Sequence, residues 1–529
     1  MISRLAATLF AAASLFACQV MASPGLPDMG PVAIEAKDSG LPADWHRRGV
    51  FMEILVRAYQ DSDGDGIGDL NGLISRLDYL KSLGVTGIWL MPVFRSSDND
   101  HGYTVVNYRN IERDYGTLAD FDRLLAAAHQ RGIGVIIDYV INHSSIEHPL
   151  FGLASISTDS PYRDWYVWQQ EKPTGWTAFG GDPWYESDKG FYYGAFGASL
   201  PDFNLRNPAV VDFHLNNLKF WLNRGVDGFR FDAVGTLVEN SSVAWENQPE
   251  NHRVMGQIHT LLQQYGKRYM VCEAPGDPGV FSVDESCGSA FAFGLQKHLI
   301  KSVKMGRLMP DVPYMLQTLP IDRMGTLLSN HDAFAGNRLF QQFRDDMPGY
   351  SLAAATLLSL PGIPFLYYGE EIGLSAATPV EHHDQELRGP MSWSGEANAG
   401  FTTGKPFRPL VENHSTHHVA NEDKQPDSLL NRYRQLITLR STVPALSHGN
   451  FTLLSKAHEP VFVFQRQHGD SRMLVLLNYA ARPIKTRLPM EACQQWKVAL
   501  ALPSMKTPKV SRQCEISLPA QQALFLQPK

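Results

Sequence analysis

Short runs of consecutive apolar residues alternate along the chain with longer stretches whose apolar positions recur every three or four residues. "VFMEILVRAY" precedes "NGLISRLDYLKSLG", "VTGIWLMPV" precedes "TLADFDRLLAAAHQRG", and "GVIIDYVINH" is followed, after a long excursion, by "PAVVDFHLNNLKFWLNRG". "VDGFRFDAV", "RYMVCEA", "GTLLSNHD" and "IPFLYYGEE" continue the series, with "HRVMGQIHTLLQQYG", "YSLAAATLLSLPG" and "SLLNRYRQLITLR" as amphipathic partners. Runs that are apolar on both faces belong to parallel sheets covered by helices on both sides. About eight such strand–helix units predict a (β/α)8 barrel. The spacing places it over residues 45–143 and 206–445. A doubly wound open sheet is the alternative, but no Gly-rich dinucleotide fingerprint supports it. Helix ends are well marked. Thr117 with Asp120 makes a capping box, and Gly84, Gly132, Gly225 and Gly266 stand where helix C-termini call for positive φ.

Two regions fall outside the alternation. Residues 144–205 are rich in Trp, Tyr, Gly and Pro and predict a separate loop domain inserted after the third strand. From 446 to 529, short alternating runs such as "VFVFQRQ" and "RMLVLLNYA" predict an antiparallel β-sandwich. Residues 1–22 have the shape of an export signal: Arg4, a short apolar run, and small residues before Ser23. Cleavage after Ala22 implies a periplasmic or secreted protein; a lipoprotein anchored at Cys18 is the rival. In an oxidising compartment the four remaining cysteines allow two bridges in three connectivities, with four buried thiols as the alternative; Cys272–Cys287 and Cys493–Cys514 are the pairs expected. The net charge of −7 offers no basic footprint for nucleic acid, and no later stretch is an integral membrane segment. A monomer is expected.

"GFRFDAVG", residues 228–235, is chemically odd. Arg230 and Asp232 interrupt an apolar strand and, two apart, share one face of it. Burying either charge alone costs several kcal/mol, roughly, so they are paired, or they stand where a strand ends and chemistry begins. In a barrel the active site lies at the C-terminal ends of the strands. The third run ends in Asp138, Asn142 and His143, the fifth in Glu273, and the seventh in His331 and Asp332. Independent strands thus bring carboxylates and histidines to one rim.

"DYVINH", "GFRFDAV", "VCEAP" and "LLSNHD", with "LPDFN" before the fourth unit, resemble the signature regions of the α-amylase family of glycoside hydrolases. The resemblance runs from about residue 45 to the C-terminus. It implies that Asp232 is the nucleophile, Glu273 the general acid/base and Asp332 the third catalytic carboxylate, with Arg230 keeping Asp232 ionised. His101, Tyr103, His143 and His331 match substrate-binding positions, Tyr103 as a stacking platform for the sugar ring. Asp100 and Arg388 resemble the pair that closes the site around a terminal glucose in exo-acting members. Such a site works by double displacement with retention, the two carboxyls standing about 5–5.5 Å apart.

"DSDGDGIGD" sets Asp61, Asp63, Asp65 and Asp69 at alternate positions in a Gly-rich loop. Packed carboxylates repel unless a hard cation sits among them. The resemblance implies Ca2+ held by the four aspartates and the Ile67 carbonyl. The expected function is hydrolysis of α-1,4 bonds in α-glucans or maltooligosaccharides. One departure points elsewhere: Gly235 and Thr236 stand where many α-amylases carry Lys-His. An oligo-α-glucosidase, acting on α-1,6 bonds or cyclodextrins, or a transglycosylase is therefore the alternative. A non-catalytic relative is disfavoured, since all three carboxylates are present.

Overall fold

The computed structural model describes residues 26, 29–344, 346–378, 383–488, 496–503, 511 and 514–529. The export-signal region and Cys493 of the second expected bridge lie outside them. The strands Tyr269–Cys272, Gly228–Phe231, Gly134–Tyr139, Val85–Leu90, Val50–Ile54, Ile363–Tyr367 and Gly325–Thr326 lie side by side in that order. Every pairing among them is parallel. Parallel bridges from Cys272 to Ala290 and from Phe291 to Gly325 join the two outer strands, so the sheet closes on itself. Ala290 and Phe291 occupy the sixth of eight places around the (β/α)8 barrel. That place carries no periodic signal because its pairing is only a residue long on either side.

Inward-facing side chains fill the barrel in two tiers. The lower tier is aromatic: Phe51 stacks on Phe365 at 4.5 Å, and Trp89, Phe291 and Ile136 complete it. Trp45 plugs the bottom, where a Cβ on Gly134 would lie 2.3 Å from its ring. Strand alternation then places Glu53 two residues above Phe51 and Asp138 two above Ile136. Arg230 is in register with Asp138 on the neighbouring strand. The upper tier is therefore ionic, and it is fully buried. At Gly228 the strands approach so closely that a Cβ would sit 1.7 Å from the Tyr269 carbonyl oxygen.

The expected caps are present: Thr117 and Asp120 form a capping box, and Gly84, Gly132, Gly225 and Gly266 all have positive φ. The excursion after the third strand holds the helix Pro149–Ile156 and a three-stranded antiparallel sheet of Trp168–Gln169, Gly190–Tyr193 and Trp184–Ser187. At the C-terminus, a five-stranded antiparallel sheet runs Asn450–Leu453, Val461–His468, Ser471–Asn478, Ala523–Pro528, Trp496–Leu502. Its Val461, Val463 and Leu474 pack against Ile484, Ile516 and Leu518 of a two-stranded sheet, giving a lopsided sandwich. Arg466, buried, fastens this sandwich to the barrel through the Ser359 carbonyl at 3.0 Å. Cys272 and Cys287 form a disulfide. Among the described residues, no helix is long and apolar enough to cross a membrane.

Candidate active site

The pair that disrupts the fourth strand is the centre of the site. Arg230 Nη1 donates to Asp232 Oδ1 at 2.7 Å and to both Asp138 oxygens at 2.8 and 2.9 Å. Its other terminal nitrogen donates to Glu273 Oε2. One guanidinium therefore gathers carboxylates from three adjacent strands, and its fixed fork holds each at a set angle. Phe229 and Phe231 turn the opposite way, onto Tyr139. Directly after Asp232, Ala233 adopts a left-handed conformation with φ 47°, so the chain turns sharply off the strand. Strain of this kind collects at functional sites. The turn is pinned to the next strand: Val234 N donates to the Glu273 carbonyl at 3.1 Å, and Glu273 N to the Phe231 carbonyl at 2.9 Å.

A second cationic centre faces the first. His331 Nδ1 lies 2.5 Å from Glu53, and its Nε2 lies 3.0 Å from Asp332 and 2.8 Å from the Tyr103 hydroxyl. Burial pulls the His331 imidazole down, but Asp332 and Glu53 outweigh it and push it up to about 10. His331 is thus an imidazolium. Burial raises Asp332, yet His331 and Arg388 hold it well below the usual carboxylate range. Glu53 was not among the sequence candidates. Its signal was available, since a lone glutamate in "VFMEIL" breaks an apolar strand as Arg230 does.

The charge balance sets the proton inventory. Among the described residues, Glu53, Asp138, Asp232, Glu273 and Asp332 pair with three cations, Arg230, His331 and Arg388. The excess of negative charge keeps a proton in the site. Burial raises Glu273 against the pull of Arg230, and Asp232 and Asp332 add to it, up to about 7. Burial likewise raises Asp232 against the pull of Arg230, with Asp138 and Asp332 adding to it, to about 6. Of this pair, Glu273 keeps its proton to the higher pH and Asp232 ionises before it.

The remaining predicted residues surround this core. The Tyr103 hydroxyl donates to Asp138 at 3.0 Å, and its ring lies nearly parallel to His331, with centroids 5.6 Å apart. His143 is buried and held neutral by that burial, down to about 3, and among the described residues its Nε2 has no hydrogen-bond partner. A buried nitrogen left open at a rim of this kind suits a sugar hydroxyl. His101 sits 3.0 Å from Asp98; burial keeps it below the ordinary histidine value despite that carboxylate. Arg388 is buried rather than solvent-exposed, donating to Asp332 at 3.1 Å and to the His331 carbonyl at 3.2 Å. Its contact with Asp100 is longer, 3.9 Å. The closer partner of Asp100 is Arg408, at 2.7 Å, which no sequence pattern singled out.

In the acidic loop, Asp61, Asp63 and Asp65 bring carboxylate oxygens within 4.8 Å of one another. Burial and then the repulsion of Asp63 and Asp61 outweigh the Ile67 N–H and raise Asp65. An all-oxygen cluster that repels itself fits a hard cation. Asp69 is turned differently: it accepts from Ser62 N, Ser62 Oγ and Gly72 N at 2.7–2.8 Å and caps a helix. Ile67 N donates to Asp65 at 2.7 Å. Gly66 is required here, since a Cβ would lie 1.9 Å from the Lys405 carbonyl oxygen.

The family model described as the α-amylase catalytic domain matches residues 53–449. The chain is 34% identical over 534 residues to the trehalose synthase/amylase TreS of Mycobacterium tuberculosis, covering 87% of each. It is 30% identical over 542 residues to the oligo-1,6-glucosidase of Heyndrickxia coagulans, covering 86% of this chain and 95% of that protein. Among solved structures, an α-amylase from H. orenii superposes with a TM-score of 0.81 at 34% identity, covering 91% of this chain and all of that one. These relatives carry three different activity names. With its barrel matched through all but the first strand residues, the chain belongs to the α-amylase family of enzymes acting on O-glycosyl bonds.

Proposed function

We propose that the protein is a retaining α-glucosidase that removes, and can transfer, the terminal glucosyl unit of short α-glucans. The carrying observation is the charged wall beside the nucleophile. Asp100, gripped by Arg408 and approached by Arg388, stands with Asp332 on one side of the site. Such a wall suits a chain end rather than a chain passing through. The absence of Lys-His at Gly235 and Thr236 agrees, because a long leaving glucan loses a customary grip there. The α-amylase reading, internal cleavage of α-1,4 chains, remains the second reading; His101 in "HGY" favours it. Maltoheptaoside blocked at its non-reducing end, maltotriose and isomaltose separate the two. Glucose release from maltotriose with the blocked chain intact is expected; cleavage of the blocked chain would overturn the terminal reading.

The chemistry is double displacement. An Asp232 oxygen attacks the anomeric carbon while Glu273 gives its proton to the departing glycosidic oxygen. The C–O bond breaks and a glucosyl ester forms on Asp232. Glu273, now a carboxylate, takes a proton from water or an acceptor hydroxyl, whose oxygen displaces Asp232 and retains the anomeric configuration. Asp332, kept ionised by His331, accepts sugar hydroxyls, and the open Nε2 of His143 contributes another contact.

A narrow bell-shaped dependence of kcat/KM on pH follows. Activity falls as pH drops through about 6, where Asp232 gains a proton. It falls again as pH rises through about 7, where Glu273 loses one. The two limbs belong to the coupled pair, and a flat profile from 5 to 9 would contradict the assignment.

Ca2+ in the Asp61 loop is part of the proposal, as a structural ion binding the loop together. Chelation should lower the thermal midpoint and added Ca2+ restore it; calcium a hundredfold above Kd contributes roughly 2.7 kcal/mol. No shift in either direction, or the same shift in Asp63→Asn, would remove the ion. Export is also proposed, supported by the Cys272–Cys287 bridge, which suits an oxidising compartment. N-terminal sequencing of the mature protein should begin at Ser23.

A further inference from the structure

The acidic loop and the charged wall of the site are joined by one stretch of chain, residues 401–408. At its start Phe401 is buried, and its carbonyl accepts from Asp61 N at 3.1 Å and from Gln60 Nε2 at 2.7 Å. The Thr402 hydroxyl donates to Asp61 Oδ2, the oxygen that also accepts from Gly66 N at 2.9 Å. Further on, Phe407 N donates to the Gly66 carbonyl at 2.9 Å. Between these ties the two backbones touch. A Cβ on Gly404 would lie 2.1 Å from the Gly64 carbonyl oxygen, just as one on Gly66 would meet Lys405. A side chain at either glycine would block that approach.

The far end of the stretch lies in the site. Arg408 follows Phe407 directly and grips Asp100 at 2.7 Å. Its other terminal nitrogen donates to the Gln385 and Arg388 carbonyls, both at 3.3 Å. Arg388 in turn donates to the catalytic Asp332 at 3.1 Å. There is little slack on the way. Pro406 and Pro409 bracket Phe407 and Arg408, and each fixes its own φ and restricts the residue before it. The Phe407 ring lies 5.9 Å from the Arg57 guanidinium and 5.2 Å from that of Arg408, contacts that hold it in place.

Asp61, Asp63 and Asp65 repel one another unless a cation lies among them. Without one the loop is pushed open, and Gly66 draws Phe407 and Arg408 along with it. We infer that residues 401–408 couple the acidic loop to the wall, so that Ca2+ and the sugar ring seated at the nucleophile bind cooperatively. The coupling is reciprocal: the factor by which the sugar tightens Ca2+ is the factor by which Ca2+ tightens the sugar. The inference rests on the Ca2+ reading of the loop and goes beyond it by tying the ion to substrate recognition. It holds equally for cleavage at chain ends or inside chains.

The probe is 1-deoxynojirimycin, a single glucose-shaped ring that is not turned over. Equilibrium dialysis of the wild-type chain against radioactive Ca2+ should give a dissociation constant about tenfold lower with saturating probe than without it. The inhibition constant of the probe should fall by the same factor from chelator-treated to Ca2+-saturated enzyme. Asp63→Asn assigns the site, since both effects should disappear with that carboxylate. Arg408→Gln leaves the acidic loop untouched. Its Ca2+ affinity without probe should match the wild type, while the tightening by probe should be lost. Thr402→Val keeps the shape, removes the hydroxyl from Asp61, and should weaken the coupling with Arg408 still in place. Equal Ca2+ dissociation constants with and without probe in the wild type overturn the coupling and leave the ion. No retained Ca2+ removes the ion and the coupling together. Full coupling in Asp63→Asn or in Arg408→Gln overturns the route through residues 401–408.

Discussion

Asp232→Asn is expected to lower turnover of maltotriose and of α-glucosyl fluoride alike, on the order of ten-thousand-fold or more. Both substrates need an oxyanion to attack the anomeric carbon, and an amide at this position cannot form the ester. The acid/base is different. Glu273→Gln should cripple maltotriose, whose leaving oxygen needs a proton, but spare the first step with fluoride, which leaves without one. With no base for the second step, the variant should give a stoichiometric burst of fluoride and then stall. Rapid-mixing kinetics with a fluoride electrode distinguishes the two. If Asp232→Asn shows the burst and Glu273→Gln abolishes it, the roles are reversed.

The second large effect is at Arg230. Arg230→Ala leaves Asp138, Asp232 and Glu273 without the guanidinium that holds them. Removing one partner of a buried charge pair costs about 3–5 kcal/mol, and here several carboxylates share that partner. The thermal midpoint should fall. Activity should fall by about a thousandfold or more, since Asp232 loses the cation that keeps it ionised. The acid limb of the pH profile should move upward in whatever activity survives. Arg230→Lys restores charge without the fork and should recover stability better than rate. Wild-type stability and rate in Arg230→Ala would refute the central place given to this residue.

Much of this was legible in the residues. Repeated apolar runs with helical partners gave the barrel, because a strand covered on both faces has little freedom in composition. The polar residues closing those runs gave Asp232, Glu273, Asp332, His143 and His331, because a charge in an apolar strand must have a reason. What escaped lacked such a contrast. Ala290 and Phe291 hold the sixth barrel place with too short a pairing to show a period. Arg408 reaches Asp100 from a loop far along the chain, and only folding reveals that.

The sixth place is also the barrel's thinnest seam, joined to its neighbours by single bridges. Cys272 lies on one lip of that seam, paired with Ala290 and adjoining Glu273. Its disulfide to Cys287, 15 residues on, works as a clasp across the very stretch where the staves would part first. Replacing both cysteines, in a Cys272→Ala, Cys287→Ala variant, should therefore loosen the proton donor's footing well before the barrel as a whole comes undone.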